Sequence, residues 1–328
     1  MGKQALIFGV SGQDGAYLAQ LLLDKGYVVH GTSRDSEQNA FTNLRRLGIH
    51  ERVKTHSAIT TDFRSILAVI RAVQPDEIYD LSGQTSVSLS YSQPVEALES
   101  IALGATNILE VLRILGLDAR FFSAGSGECF GDTGHKLADE QSPFRPLSPY
   151  AVAKSAAFWT CASYRRSYKL FCCSGILFNH ESPLRPARFV TQKIALAAAR
   201  IRAGSGEKLR LGNTNVLRDW GWAPDYVEAM WRILQNERPD DFVIATGQAI
   251  SLQDYVAMCF RHVGLDWRDH VVIDPLLLRP SDQVFSAGDS SKARRELGWQ
   301  PTLLAEDVSR RMTDAAVAQL AGRAPPGG

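Results

Sequence analysis

The chain has 328 residues, and its 45% hydrophobic content suits a large α/β domain with a smaller companion. A formal net charge of +1 offers no acidic or basic field for nucleic acid or an anionic membrane, and the longest apolar runs, such as 194–199, are too short to span a bilayer. Cys129, Cys161, Cys172, Cys173 and Cys259 are odd in number and lack C-x-x-C spacing; with no signal-peptide pattern at the start, they read as reduced, mostly buried thiols of a cytoplasmic protein.

The elements alternate. A strand over 5–10 leads through glycines into a helix over 16–25, stopped at Gly26, and a second strand follows at 28–32. A third strand is expected at 53–56, a helix at 63–73 broken by Pro75, and a fourth strand at 77–81. The pattern 95–115 predicts one long helix ending at Gly116; 120–123 is a fifth strand. Pro149 precedes a helix over 150–168, and 171–178 is an apolar sixth strand. Beyond 178 prolines and glycines divide short segments. A helix is expected at 225–236, a strand at 242–245 returning to the main sheet, and helices capped by Ser251 and Ser290. Residues 322–328 read as a frayed Gly/Pro tail. Such alternation predicts a doubly wound parallel sheet of Rossmann type with a smaller C-terminal substrate-binding lobe. The expected division is 1–178 plus about 214–248 for the cofactor domain and about 179–213 plus 249–320 for the lobe, with 321–328 as a flexible tail.

Gly9-x-x-Gly12-x-x-Gly15 follows the first strand and opens the first helix. Glycines there permit a tight turn and bring backbone N–H groups close to a pyrophosphate, although a plain Gly-rich turn can look the same. The second strand ends Thr32-Ser33-Arg34-Asp35, which splits the cofactor signal. An acid favours the ribose hydroxyl of NAD, while an Arg favours the 2′-phosphate of NADP; Arg34 comes first, so NADP is expected. Tyr150 and Lys154 stand four residues apart, on one face of a helix. An ammonium beside the phenol is expected to lower its pKa from roughly 10 toward neutrality, making Tyr150 a base for a hydroxyl proton. Glu128, just past the fifth strand, is a second possible base.

With these residues, the chain resembles the extended short-chain dehydrogenase/reductase superfamily, and within it the GDP-mannose 4,6-dehydratase family. The most specific segments are G-V-S-G-Q-D-G-A-Y-L (9–18), S-P-Y-A-V-A-K (148–154), L-F-N-H-E-S-P (177–183), R-F-V-T-Q-K-I (188–194), R-D-W-G (218–221) and D-Y-V-E-A-M-W (225–231). The resemblance implies oxidation at C4 of a GDP-bound mannose with Tyr150 as base, Lys154 tuning it and Ser126 holding the C4 oxygen. Glu128 would then remove the C5 proton, water would leave from C6, and the hydride would return to C6. It implies NADP contacts from Gly9, Ser11, Gly12, Gln13, Asp14, Gly15, Arg34, Asp62, Leu81, Tyr150, Lys154 and His180, the last read as a structural hydrogen-bonding histidine and not a catalyst, because Tyr150, Lys154 and Glu128 already cover the proton transfers. It implies GDP-sugar contacts from Ser86, Asn179, Val190, Lys193, Leu211, Gly212, Arg218, Arg279 and Asp282, and a homodimer through helices 95–115 and 150–168 or a homotetramer with further contacts from the Arg34 loop.

Several positions depart from the family pattern. Arg34-Asp35-Ser36 replaces Arg-Arg-Ser, Ile59 stands where an acid is usual, and Gly127 replaces a Ser beside Glu128. Asp282 replaces a Glu, and Arg185-Pro-Ala-Arg188 replaces R-G-x-x. These leave the reaction type better defined than the sugar. A 4-epimerase, a 4-keto reductase and a non-catalytic NADP-binding sensor stay open, but the first two need no C5 base and the sensor needs neither Tyr150 nor Lys154. No metal-ligand spacing is present.

Overall fold

The structure is a computed structural model, and it describes residues 2–278 and 281–322. Seven parallel strands form the main sheet: β1 (Gln4–Phe8), β2 (Val28–Ser33), β3 (Lys54–Ser57), β4 (Glu77–Asp80), β5 (Arg120–Ala124), β6 (Cys172–Leu177) and β10 (Phe242–Ile244). Their order is β10-β6-β5-β4-β1-β2-β3, so the winding reverses between β1 and β4. A crevice opens at the carboxyl ends of the strands at such a reversal, where α/β sheets take ligands.

Both faces of the sheet are covered. Helices Gln13–Asp24 and Ala223–Gln235 seal one face through Leu18, Leu22, Tyr226 and Met230; helices Phe63–Val73, Gly104–Leu115 and Pro149–Tyr168 seal the other through Ile66, Ile70, Ile108 and Cys161. Cys172 and Cys173 enter opposite cores, as neighbours on a strand must. All five cysteines are unpaired and buried.

The segment predicted as one helix over 95–115 is three pieces: Pro94–Ala97, a π-helical Leu98–Leu103, and Gly104–Leu115. Gly104 lies at the junction, where a Cβ would approach the Thr60 side chain to 3.1 Å. Hydrophobic periodicity carries no signal for such a change of winding.

The expected return of 242–245 to the main sheet is seen in the pairing of β10 with β6. Residues 217–222 behave differently. They form β9 (Leu217–Trp222), which pairs with β7 (Asn179–Glu181), β11 (Ala249–Ser251) and β13 (Phe285–Ser286) in a second sheet. A further pair joins β8 (Leu209–Leu211) to β12 (Val271–Ile273). These strands are two to six residues long, too short for an alternation pattern. A separate core of Ile194, Leu209, Trp220, Tyr255 and Phe260 holds this part together, with helices Val190–Arg202 and Leu252–His262.

Ser251 caps its helix by accepting from the Asp254 N–H. Ser290 does not cap with its side chain; its hydroxyl donates to the Ala245 carbonyl at 3.0 Å, and Asp289 accepts the Ser291 N–H instead. Of the expected tail, 323–328 lies outside the described residues. Among the described residues no helix is long and apolar enough to cross a membrane.

Candidate active site

A cleft of about 380 Å³ opens above the carboxyl ends of the strands, and it gathers Ser126, Glu128, Tyr150 and Lys154 from two elements. β5 ends at Ala124, and a short 3-10 turn, Gly127–Phe130, starts at once. Ser126 caps that turn by accepting the Glu128 N–H at 3.2 Å. Gly127 explains its own departure: a Cβ there would sit 2.8 Å from the Phe178 ring, so the ring fills the space a side chain would need. The helix carrying Tyr150 and Lys154 is started by Ser148, whose hydroxyl accepts the Ala151 N–H at 3.1 Å, and by Pro149 in the first turn.

The electrostatics correct one expectation. Burial pushes the Tyr150 phenol well above its ordinary range, with Cys129 and Glu128 adding to it, while a hydrogen bond with Ser126 and the Arg185 charge pull the other way. Lys154 does not reach the phenol. Its Nζ donates to the Ala124 carbonyl at 2.6 Å and lies 5.9 Å from the Tyr150 ring centre. Burial lowers the Lys154 pKa, and Asp80, Cys129 and Asp14 oppose that loss of charge. The ammonium is therefore spent on a backbone carbonyl, and spacing on a helix alone cannot reveal which group it meets.

The glycine loop fits a dinucleotide. Gly9 has φ +86°, and a Cβ there would lie 2.7 Å from the Leu81 carbonyl. At Gly15 a Cβ would lie 2.3 Å from the Gly9 carbonyl oxygen. Helix Gln13–Asp24 starts at Gly12 with no side-chain cap, which leaves its first N–H groups for a ligand anion. Gln13 is held by its side chain. Its side chain donates to Asp14 and to the His180 carbonyl and accepts from Ser182, so it is spent inside the protein.

Asp14 lines the cleft and pairs with His180 Nε2 at 3.0 Å, while His180 Nδ1 meets the Phe178 carbonyl at 2.7 Å. Burial opposes the Asp14 charge, but His180 and Gln13 hold its carboxyl down to about 2. For His180 burial again works against the charge, and Asp14 outweighs it, so the pKa is raised. With both ring nitrogens facing acceptors and the ring stacked on Tyr226 at 4.3 Å, His180 has the structural role expected of it.

At the end of β2, Asp35 accepts the N–H groups of Glu37 and Gln38 at 3.0 and 3.1 Å, and Arg34 is exposed. Asp62 caps helix Phe63–Val73 by accepting the Arg64 N–H. Ser11 accepts from Asn43 through its carbonyl. Leu81 lines the cleft; Gly9, Ser11, Gly12, Gly15, Arg34 and Asp62 lie outside its lining.

Ser86, Asn179, Val190, Lys193, Leu211, Gly212, Arg218 and Asp282 all line the same cleft. Arg218 donates to Asp282 Oδ1 at 3.0 Å and to the Gln283 carbonyl, and Lys193 donates to the Arg210 carbonyl at 2.7 Å. Arg279 lies outside the described residues. Thr85, Arg185, Arg188, Phe189 and Leu277 also line the cleft and were not singled out for it by sequence. Only the altered Arg185-Pro-Ala-Arg188 segment gave any signal of them. Trp220 and Trp222 are core residues, and Trp220 also reaches the cleft wall.

A family model described as GDP-mannose 4,6 dehydratase matches residues 6–312. The chain is 42% identical over 322 residues to GDP-mannose 4,6 dehydratase 1 of Arabidopsis thaliana, covering 95% of this chain and 89% of that one. It is 38% identical over 345 residues to GDP-mannose 4,6 dehydratase of Homo sapiens, covering 97% and 93%. Among solved structures, UDP-glucose 4-epimerase of Thermotoga maritima with UDP-glucose superposes with a TM-score of 0.86 at 20% identity, covering 98% of this chain and 100% of that one, which bears out the fold class.

Proposed function

Because the chain belongs to the GDP-mannose 4,6-dehydratase family, we propose that it is a hydro-lyase converting GDP-mannose to GDP-4-keto-6-deoxymannose. The observation that carries this reading beyond the family is Glu128 in the same cleft as Tyr150 and Ser126. An epimerase or a keto reductase needs no base at C5, so Glu128 favours elimination.

The bound nicotinamide cofactor supplies hydride transfer from and back to the sugar. The backbone of Gly9, Ser11, Gly12 and Gly15 would hold its pyrophosphate, with Asp14, Asp62 and Leu81 nearby. NADP is the form favoured, since Asp35 is engaged by its own loop and Arg34 is left to meet a 2′-phosphate.

Tyr150 takes the proton of the C4 hydroxyl, and Ser126 hydrogen-bonds the same oxygen. Burial raises the phenol pKa, so Tyr150 acts as a base only with a compensating positive charge, and Lys154, fixed on Ala124 with its Nζ 5.9 Å from the ring centre, is the cation the cleft offers for that. C5–H becomes acidic only once C4 is a carbonyl; Glu128 then removes that proton and passes it to the C6 hydroxyl, which leaves as water, and C5 takes a solvent-derived proton when C6 is reduced. Asn179, Val190, Lys193, Leu211, Gly212, Arg218, Arg279 and Asp282 would hold the GDP moiety, and Ser86 the sugar.

The cofactor domain is taken as 1–178 plus about 214–248, which β10 in the main sheet supports and β9 in the second sheet qualifies. Two copies would join through helices 94–115 and 149–168, where Val95, Leu98, Val152 and Trp159 are exposed apolar side chains. Unpaired, buried cysteines support a cytoplasmic location.

The test is direct: purified protein with NADP+ and GDP-mannose should yield a 4-keto-6-deoxy product lighter by one water, detected by mass spectrometry. UDP-, dTDP- and CDP-sugars should be returned unchanged. An unchanged GDP-mannose, or an epimerised one, would overturn the reading.

A further inference from the structure

Most cations lining the cleft already have partners. Arg185 Nε lies 3.2 Å from Glu181, Arg218 lies 3.0 Å from Asp282, and Lys154 and Lys193 donate to backbone carbonyls. Arg188 is different. It is exposed, it lines the same cleft, and among the described residues it forms no ion pair. Among the described residues its guanidinium meets the Thr85 hydroxyl, at 3.5 Å, and the Phe189 ring, 4.9 Å from the centroid. Arg185 approaches that ring too, with its guanidinium carbon 3.8 Å from the centroid. Phe189 therefore orients Arg188 without neutralising it.

Thr85 sits on the loop after β4 and Arg188 on the loop before helix Val190–Arg202, so their contact joins two walls of the cleft. A 3.5 Å bond to a neutral hydroxyl is at the limit of hydrogen bonding and competes weakly with an anion. A guanidinium kept charged, oriented and without a carboxylate in a ligand cleft is matched to phosphate oxygens.

We infer that Arg188 is a further substrate-binding residue, which leaves Thr85 to donate charge-assisted hydrogen bonds to the diphosphate of the nucleotide sugar. This rests on the GDP-sugar reading above. Its side chain would add a cation to a region where Arg218 is shared with Asp282.

The experiment compares wild type, Arg188→Gln and Thr85→Val, each loaded with NADP+, by calorimetric titration with GDP and with guanosine, and by GDP-mannose kinetics. Arg188→Gln should weaken GDP binding about tenfold and guanosine binding less than about twofold, and should raise KM for GDP-mannose more than it changes kcat. Thr85→Val should bind GDP within about twofold of wild type, because it removes only the resting contact of Arg188. Unchanged GDP affinity in Arg188→Gln, equal loss for guanosine, or the same loss in Thr85→Val would overturn the assignment. Failure of wild type to turn over GDP-mannose would instead overturn the functional reading, so the two failures are distinct.

Discussion

Lys154 Nζ donates to the Ala124 carbonyl at 2.6 Å, which ties the helix of Tyr150 to the end of β5. The ammonium is buried, and burial lowers its pKa. It is therefore a costly group, kept at a fixed place in the cleft. Lys154→Met should abolish at least about 99% of kcat, since proton transfer by a positioned group contributes roughly 10²–10⁴-fold. Its melting temperature should stay within about 4 °C of wild type, because the lost hydrogen bond is offset by a removed buried charge. Calorimetric melting beside steady-state kinetics checks this, and a collapse in stability would mean that Lys154 is chiefly structural.

Arg34 and Asp35 are separable in the same way. Asp35 accepts two N–H groups of its own turn, while Arg34 is exposed. Arg34→Ala should raise KM for NADP+ about tenfold and leave KM for NAD+ within about twofold, the pattern of a lost charge-assisted contact to one phosphate. Equal effects on both cofactors would remove Arg34 from the 2′-phosphate site.

The Asp14–His180 pair gives stability a pH dependence that can be worked out by sign. Asp14 is depressed from 3.8 to about 2, so its contribution is present above 3.8 and lost as pH falls toward 2. His180 is raised above 6.5, so its contribution is full below 6.5 and lost as pH rises through its folded value. The pair should thus stabilise most between pH 4 and 6.5, by on the order of 2 kcal/mol. A double-mutant cycle with Asp14→Asn and His180→Gln, by urea denaturation at several pH values, should show coupling that declines on both sides of that window. A flat profile would mean that the pair is not ionised as described.

Gly15 tests the loop itself. A Cβ would lie 2.3 Å from the Gly9 carbonyl and 2.7 Å from Val10 Cα, both backbone atoms that cannot yield without moving the helix from the strand. Gly15→Ala should lose more than about 2 kcal/mol of stability and bind NADP+ poorly. Gly26→Ala, where a Cβ meets nothing within 4 Å but φ is +83°, should cost only about 1 kcal/mol. Similar losses at both sites would point to a general intolerance of glycine replacement.

Much of this was legible in the sequence where a pattern repeats or a residue type is chemically committed. The seven strands of the main sheet mostly alternate with long helices, and the sequence pattern located each strand to within a few residues. Phe63–Val73 matched at both ends because Asp62 caps it and Gln74 and Pro75 stop it. The second sheet was not legible, since β7, β11 and β13 span only two or three residues. Ser126, Glu128, Tyr150 and Lys154 were found because motifs fix their types. The pairings were not found: Lys154 on Ala124 and Gln13 bolted to Ser182 depend on tertiary geometry. Arg188 and Thr85 lie 103 residues apart and meet only in the folded chain.

Elimination rather than simple oxidation is the central claim, and Glu128 carries it. The most direct measurement is turnover of GDP-mannose in deuterated water by wild type and by Glu128→Gln, with NMR of the product. Wild type should place deuterium at C5 of a 4-keto-6-deoxy product, and Glu128→Gln should lose at least about a hundredfold in dehydration while its affinity for GDP is kept. Full turnover by Glu128→Gln, or a wild-type product without deuterium at C5, would contradict the account.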